Sequence, residues 1–223
     1  MTTADNYRTN NLVSKLFPFL LFYILTEVID MNSVDDVMQV TSIGRIVAVF
    51  LLNTNRFLKA IELCKGCLFI LKDREGIKDE KLSKSPYTRI YLLMWNTCNL
   101  ICDNAGAIKY AEKLLLIYRE SGKTLEEYKL SLKVGEMYFH QGKIKQAKQL
   151  TEKTLLISKE IGHRTGEACC YVKLGIKYSS VGEYEKGTKH HEKALAIYKE
   201  IGDRNNEATC YINLGIVYRF VGE

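Results

Sequence analysis

Cysteine, histidine and lysine are the residues of this chain whose types and spacing invite a chemical reading. "CKGC" places Cys64 and Cys67 three residues apart, and Cys98 and Cys102 stand four apart. Thiolates at such spacings bind zinc or exchange electrons with a dithiol. A redox CxxC opens a helix beside a strand, yet no strand is expected here. Cys170 and Cys210 recur forty residues apart, which is a packing signature. The seven cysteines, Cys169 among them, are odd in number and irregular in spacing. They are read as reduced structural thiols. No metal and no cofactor is expected.

"HHEKAL" offers His190 and His191, but Leu195 stands where a zinc-binding HExxH motif needs its second histidine. His191 is expected to pack inside a helical hairpin. "GEYEKGTK" (182–189) imitates a phosphate loop with Thr188 and Lys189 in the wrong order, and it follows a helix rather than a strand. No GxSxG, GxGxxG or acid–base pair stands out. The chain is therefore expected not to be an enzyme.

What remains is a row of polar residues at one repeated place. Lys133, Lys173 and Asn213 each precede a glycine by two residues, at intervals of forty. Ammonium and amide groups can grip carboxylates and peptide backbone. Such a row needs helices that repeat with the same period. Glu152 to Glu183 lies on Glu192 to Glu223 without a gap, and twenty of the thirty-two positions are identical. A period of 20–50 residues signals a stacked array.

Each period reads as two helices. Tyr171, Leu174, Gly175 and Tyr178 recur as Tyr211, Leu214, Gly215 and Tyr218, giving the apolar face of a first helix. Gly142 and Gly182 mark a tight turn. The second helix carries Ala147, Thr151 and Leu155, then Gly187, His191 and Leu195. Earlier copies are looser. Trp95 replaces a glycine, and the first copy is offset by seven residues, absorbed in a charged linker at 72–86. The array is expected over 34–223, as pairs at 34–76, 87–122, 127–162 and 167–202, with a truncated repeat at 207–223. Only two prolines in 223 residues agree with an all-α chain.

Residues 1–33 form a separate apolar segment. The run Leu16 to Leu25 is too short to span a bilayer. It is expected to be a buried helix against the array, with a membrane anchor or an uncleaved signal as the alternative. The last repeat is of the internal kind, so a fragment of a longer array is also expected.

"YINLGIVYRFVGE" and "YEKGTKHHEKALAIYKEIGDR" resemble the tetratricopeptide repeat, in the forty-residue form of the Pins-like G-protein-signalling modulators. The resemblance is strong from Glu112 to Glu223 and weaker from Ser33 to Ala111. It implies a right-handed α-solenoid of antiparallel helix pairs that binds a peptide in its concave groove. The groove contacts would be Lys133, Lys173 and Asn213, with Glu136 and Arg219 facing the same way. Arg89, Asn96 and Asn99 extend the row in the second pair, and Arg45 in the first. The row is mostly basic, so the expected partner is a protein or peptide with an acidic segment. The net charge of +6 is too small for a nucleic-acid binder. The expected role is a cytoplasmic scaffold or adaptor. The alternatives are a regulatory or targeting module of a larger enzyme or motor, and a membrane-attached adaptor.

Overall fold

The computed structural model describes residues 34–73 and 85–222. These form nine α-helices and, among the described residues, no strand. They are α1 (Val34–Asn53), α2 (Phe57–Asp73), α3 (Ser85–Leu100), α4 (Asn104–Glu120) and α5 (Thr124–His140). α6 (Ile144–Glu160), α7 (Arg164–Ser179), α8 (Tyr184–Ile201) and α9 (Arg204–Val221) follow. The apolar run at 16–25 lies outside the described residues. Of the linker expected at 72–86, Lys72 and Asp73 complete α2, while Ser85 and Pro86 open α3. A proline suits the first helical turn, where its missing N–H is not needed.

The described residues fall into two compact units that divide within α4, between Ile117 and Tyr118. Within the first, α2 packs on both α1 and α3. Within the second, each helix from α5 to α9 packs on the next. In the second unit, turns of two to four residues between helices make successive helices antiparallel. Gly182 leaves α7 with φ +79°, a left-handed conformation that spares glycine the clash of a Cβ. In the first unit Asn55 (φ 57°) and Cys102 (φ 56°) take that conformation instead. The "EIGHR" and "EIGDR" joints then cap the next helix. His163 Nδ1 accepts the Gly166 N–H at 3.0 Å, and Asp203 Oδ1 accepts the Asn206 N–H at 3.2 Å. Such caps satisfy N–H groups that a helix start leaves bare.

The pairs are joined by close approach. A Cβ on Gly175 of α7 would lie 2.5 Å from the His191 ring on α8. A Cβ on Gly187 of α8 would lie 3.2 Å from the carbonyl oxygen of Gly175. Small residues thus let backbone approach backbone, and His191 fills the space left over, fully buried. Its Nδ1 has no hydrogen-bond partner. Burial, with a smaller push from His190, lowers its pKa to about 4, so the ring is neutral at pH 7. Beside it Ala168, Tyr171, Ala194, Ile197, Tyr198 and Cys210 form one cluster across α7, α8 and α9. Each large apolar side chain buried there contributes roughly 1.5–3 kcal/mol. On α9 the face equivalent to the α7–α8 contact is open. Tyr211 is 53% exposed where Tyr171 is 9%, and nothing lies within 4 Å of a Cβ on Gly215.

No helix among the described residues is long and apolar enough to cross a membrane.

Two predictions follow from the α7–α8 contact. Gly175→Ala is expected to destabilise the chain by about 2 kcal/mol through overpacking. Gly215→Ala should be neutral or stabilise by up to about 1 kcal/mol through helix propensity. Urea denaturation midpoints of the two variants separate these outcomes. The second prediction concerns acid. The folded His191 pKa lies below its unfolded value of 6.5, so its contribution is complete above 6.5 and drains away as pH falls towards 4. Stability should therefore fall by up to about 3 kcal/mol across that window. His191→Thr, which installs the residue found at Thr151, should flatten that part of the profile.

Candidate functional site

In the second unit Lys133, Lys173 and Asn213 sit on α5, α7 and α9, each two residues before a glycine. Two residues turn an α-helix by about 200°. Gly175 faces α8, so Lys173 points to the opposite side of α7, and its equivalents do the same on α5 and α9. Lys133 is exposed, while Lys173 and Asn213 are half-buried. The amide Nδ2 of Asn213 is buried and has no hydrogen-bond partner.

Glu136 of α5 joins this face. Its Oε1 lies 3.1 Å from Lys173 Nζ and 3.0 Å from Lys177 Nζ, so one carboxylate serves two ammonium groups one helical turn apart. Lys177 is 1% exposed. It stands where the neighbouring repeats carry Met137 and Val217, and its ammonium also lies 5.1 Å from the centroid of the Phe139 ring. Burial lowers the Lys177 pKa, and Glu136 resists that fall without cancelling it. For Glu136, burial alone would raise the carboxyl. The charges of Lys177 and Lys173, with their hydrogen bonds, outweigh it and hold the pKa below the usual range. The cluster carries two positive charges against one negative.

Arg219 does not belong to the row. It occupies the place of Ser179, whose Oγ lies beside Gly187 on the side of α7 that meets α8. Its guanidinium lies instead 5.5 Å from the Phe220 ring centroid. The helical turn explains this: four residues past Gly215 returns to the glycine's own face.

In the first unit, Arg45 of α1 and Arg89 of α3 come together at a cavity of about 110 Å³, lined also by Met38, Thr41 and Ser42. Asn96 lies seven residues after Arg89 and so shares its side of α3, and both are exposed. Asn99 is exposed one turn later.

The cysteines answer to packing. Cys64, Cys67, Cys98, Cys170 and Cys210 are buried. Burial pushes the Cys64 and Cys67 thiols up to about 12, so neither is a thiolate at neutral pH. Among the described residues no cluster of three or more His, Cys, Asp or Glu side chains could hold a metal.

Three ion pairs, each with a buried glutamate, recur with the repeat. Glu127, Glu167 and Glu207 are buried at the same place in the first turn of α5, α7 and α9. Each pairs with an arginine: Arg119 with Glu127 at 2.8 Å, Arg164 with Glu167 at 2.7 Å and Arg204 with Glu207 at 3.3 Å. Arg164 also reaches Glu200 at the end of α8. A carboxylate in the first turn is further favoured by the helix dipole. The recurrence of glutamate at forty residues was a signal that could have found them.

A family model described as tetratricopeptide repeat matches residues 126–200 and 178–223. No curated protein matches the sequence. Among solved structures, the chain is similar to a signal-transduction ATPase with numerous domains and a tetratricopeptide-repeat sensor from Pyrococcus horikoshii. That match has 21% identity and TM-score 0.62, and covers 92% of this chain but 31% of the ATPase. BtubC from P. vanneervenii matches at 20% identity and TM-score 0.58, covering 100% of this chain and 85% of its own. A Rap protein complexed with competence and sporulation factor matches at 16% identity and TM-score 0.50, covering 84% and 53%. At these identities the likeness shows the fold, a solenoid of helix pairs.

The Glu136 cluster yields a prediction about stability. Lys177→Met, the residue at the equivalent place one repeat earlier, should stabilise the chain by about 1 kcal/mol, because a buried charge gives way to an apolar side chain. Glu136→Gln should destabilise it by about 2 kcal/mol by leaving the buried ammonium without its anion. Thermal denaturation of the two variants at neutral pH tests both signs.

Proposed function

We propose that the tetratricopeptide repeats which this chain carries over residues 126–223 serve as a non-catalytic adaptor. They would dock a protein segment against the first-helix face of α5, α7 and α9. The observation that carries the reading is the donor left over on that face. Asn213 Nδ2 has no acceptor, in line with two lysines at the same place one and two repeats earlier. A buried donor without a partner costs about 1–3 kcal/mol, and a peptide carbonyl or carboxylate would recover it.

The partner's chemistry follows from the charges. Lys173 gives one of its three N–H bonds to Glu136, and Lys133 is exposed. An acidic segment would add a second carboxylate between them or displace Glu136. The Arg45–Arg89 cleft and the exposed Asn96 and Asn99 of the first unit suit the same class of ligand. Affinity would come from apolar burial, and selectivity from the charged row. We further propose that the array runs from residue 34 to 223. A cytoplasmic location fits seven cysteines that all stand free.

A second reading is a regulatory or targeting segment of a larger protein. The similarity, which covers 31% of an ATPase named for its tetratricopeptide-repeat sensor, favours it.

The test is capture of binding proteins from lysate by the full chain, beside a Lys133→Glu/Lys173→Glu variant and an Asn213→Ala variant. Circular dichroism should show unchanged helix content in both. The adaptor reading expects a partner held by the parent and lost by the double variant, with an acidic segment as the captured sequence. Equal capture by parent and variants would overturn it.

A further inference from the structure

The first unit holds a cavity of about 380 Å³ on its second-helix side, between α2 and α4 and floored by α3. Four lysines rim it: Lys65 and Lys72 from α2, and Lys109 and Lys113 from α4. All four are exposed, and none makes an ion pair among the described residues. Among the described residues no carboxylate lines the cavity. The floor is apolar and aromatic. Tyr91 and Tyr110 stack with centroids 6.4 Å apart, Met94 is buried beneath, and Phe69 stands 72% exposed at the edge.

The repeat itself shows how unusual this is. The place of Lys65 is held by Glu112, Glu152 and Glu192 in the other second helices. In the second unit Glu152 is engaged, accepting the Tyr178 hydroxyl at 3.2 Å. The place of Phe69 is held by smaller aliphatic side chains, Leu116, Leu156 and Ala196. One acid has become a base and one aliphatic side chain an exposed ring, both on the same wall of one cavity. Here the exposed ring is not isolated: Phe69 continues the apolar lining of Leu68, Tyr91, Met94 and Tyr110, so apolar surface and four lysines share one concavity.

We propose that this cavity is a docking site for a short acidic peptide segment carrying one large apolar side chain. Charge complementarity selects the occupant: four ammonium groups with no carboxylate lining the cavity among the described residues call for carboxylates. The shape selects a peptide over a small molecule. A small ligand needs most of its surface enclosed, whereas here Phe69 leaves one wall open. Lys65 to Lys72 spans two helical turns, about 10 Å, the length of three extended residues. The apolar side chain would lie over Tyr91, Met94 and Tyr110, with carboxylates on either side reaching the lysines. This site is separate from the first-helix face proposed above and stands or falls independently of it.

The probe is the amidated peptide acetyl-Asp-Asp-Leu-Phe-Asp-Asp, titrated calorimetrically into the full chain at low salt, beside its Lys-for-Asp analogue. The acidic peptide is expected to bind saturably and the basic one not to bind. Lys65→Glu restores the residue that the other repeats carry, and Phe69→Ala matches Ala196, so both variants keep the helix. Each should weaken the acidic peptide by about tenfold or more. The Lys133→Glu/Lys173→Glu variant should bind it as the parent does. Failure of the acidic peptide to bind at millimolar concentration overturns the proposal, as does equal binding of the basic peptide. Loss in the Lys133→Glu/Lys173→Glu variant with retention in Lys65→Glu also overturns it, and moves the binding to the first-helix face.

Discussion

The contact between Gly175 and His191 is the constraint from which the second unit follows. An α-helix can bring its backbone close to another only where a side chain is missing. Gly175 and Gly187 provide the two gaps; the His191 ring closes the first, and Ser179 with the Gly175 carbonyl closes the second. Because interiors pack like crystals, this fixes which face of α7 is spent on α8. The opposite face is then committed to the polar row. Gly135 and Thr151 make the same contact more loosely, with a Cβ-to-Oγ1 distance of 3.4 Å. Gly215 carries the same residue with nothing opposite it. Three copies of one device thus sit at three degrees of closure, and Tyr211 is exposed beside the open one where Tyr171 is buried beside the tightest.

Charge is handled on both sides of that seam. At each first-helix start a buried glutamate meets an arginine and the helix dipole, so three acids are neutralised locally. On the row face the opposite holds. Lys177 enters a core place, Glu136 is drawn in to answer it, and Lys173 shares the same oxygen. One buried lysine therefore sets the charge of the face that a partner would meet. The first unit builds a basic surface in another way, by exchanging a glutamate for Lys65 beside an exposed ring.

Much of this was legible in the sequence, for a physical reason: what repeats must do the same thing in each copy. The left-handed turn at Gly182, the burial of His191 and Cys170, and the common orientation of Lys133, Lys173 and Asn213 all follow from the forty-residue period. What was not legible breaks the period or crosses it. Lys177 replaces Met137 and Val217, and a lysine in a sequence reads as surface. Its partner Glu136 lies forty-one residues away, so no local pattern couples them. Arg219 is expected to face the way of the row, but its helical position puts it with Ser179, on the glycine's side. Asn55 and Cys102 hide two left-handed turns because neither is glycine. The Lys65 cavity is not legible because its lysines and its aromatic floor come from three helices, α2, α3 and α4, which no local pattern couples.

The most direct test of the close-approach account is a double-mutant cycle in urea, comparing Gly175→Ala, His191→Thr and the two together. Threonine opposite Gly135 leaves room for a Cβ, so His191→Thr should make the same room opposite position 175. The account predicts that Gly175→Ala costs little in the His191→Thr background, with a coupling of about 1–2 kcal/mol between the sites. Strict additivity of the two substitutions would contradict it, and would mean that the helices of this pair are held at their spacing by something other than this contact.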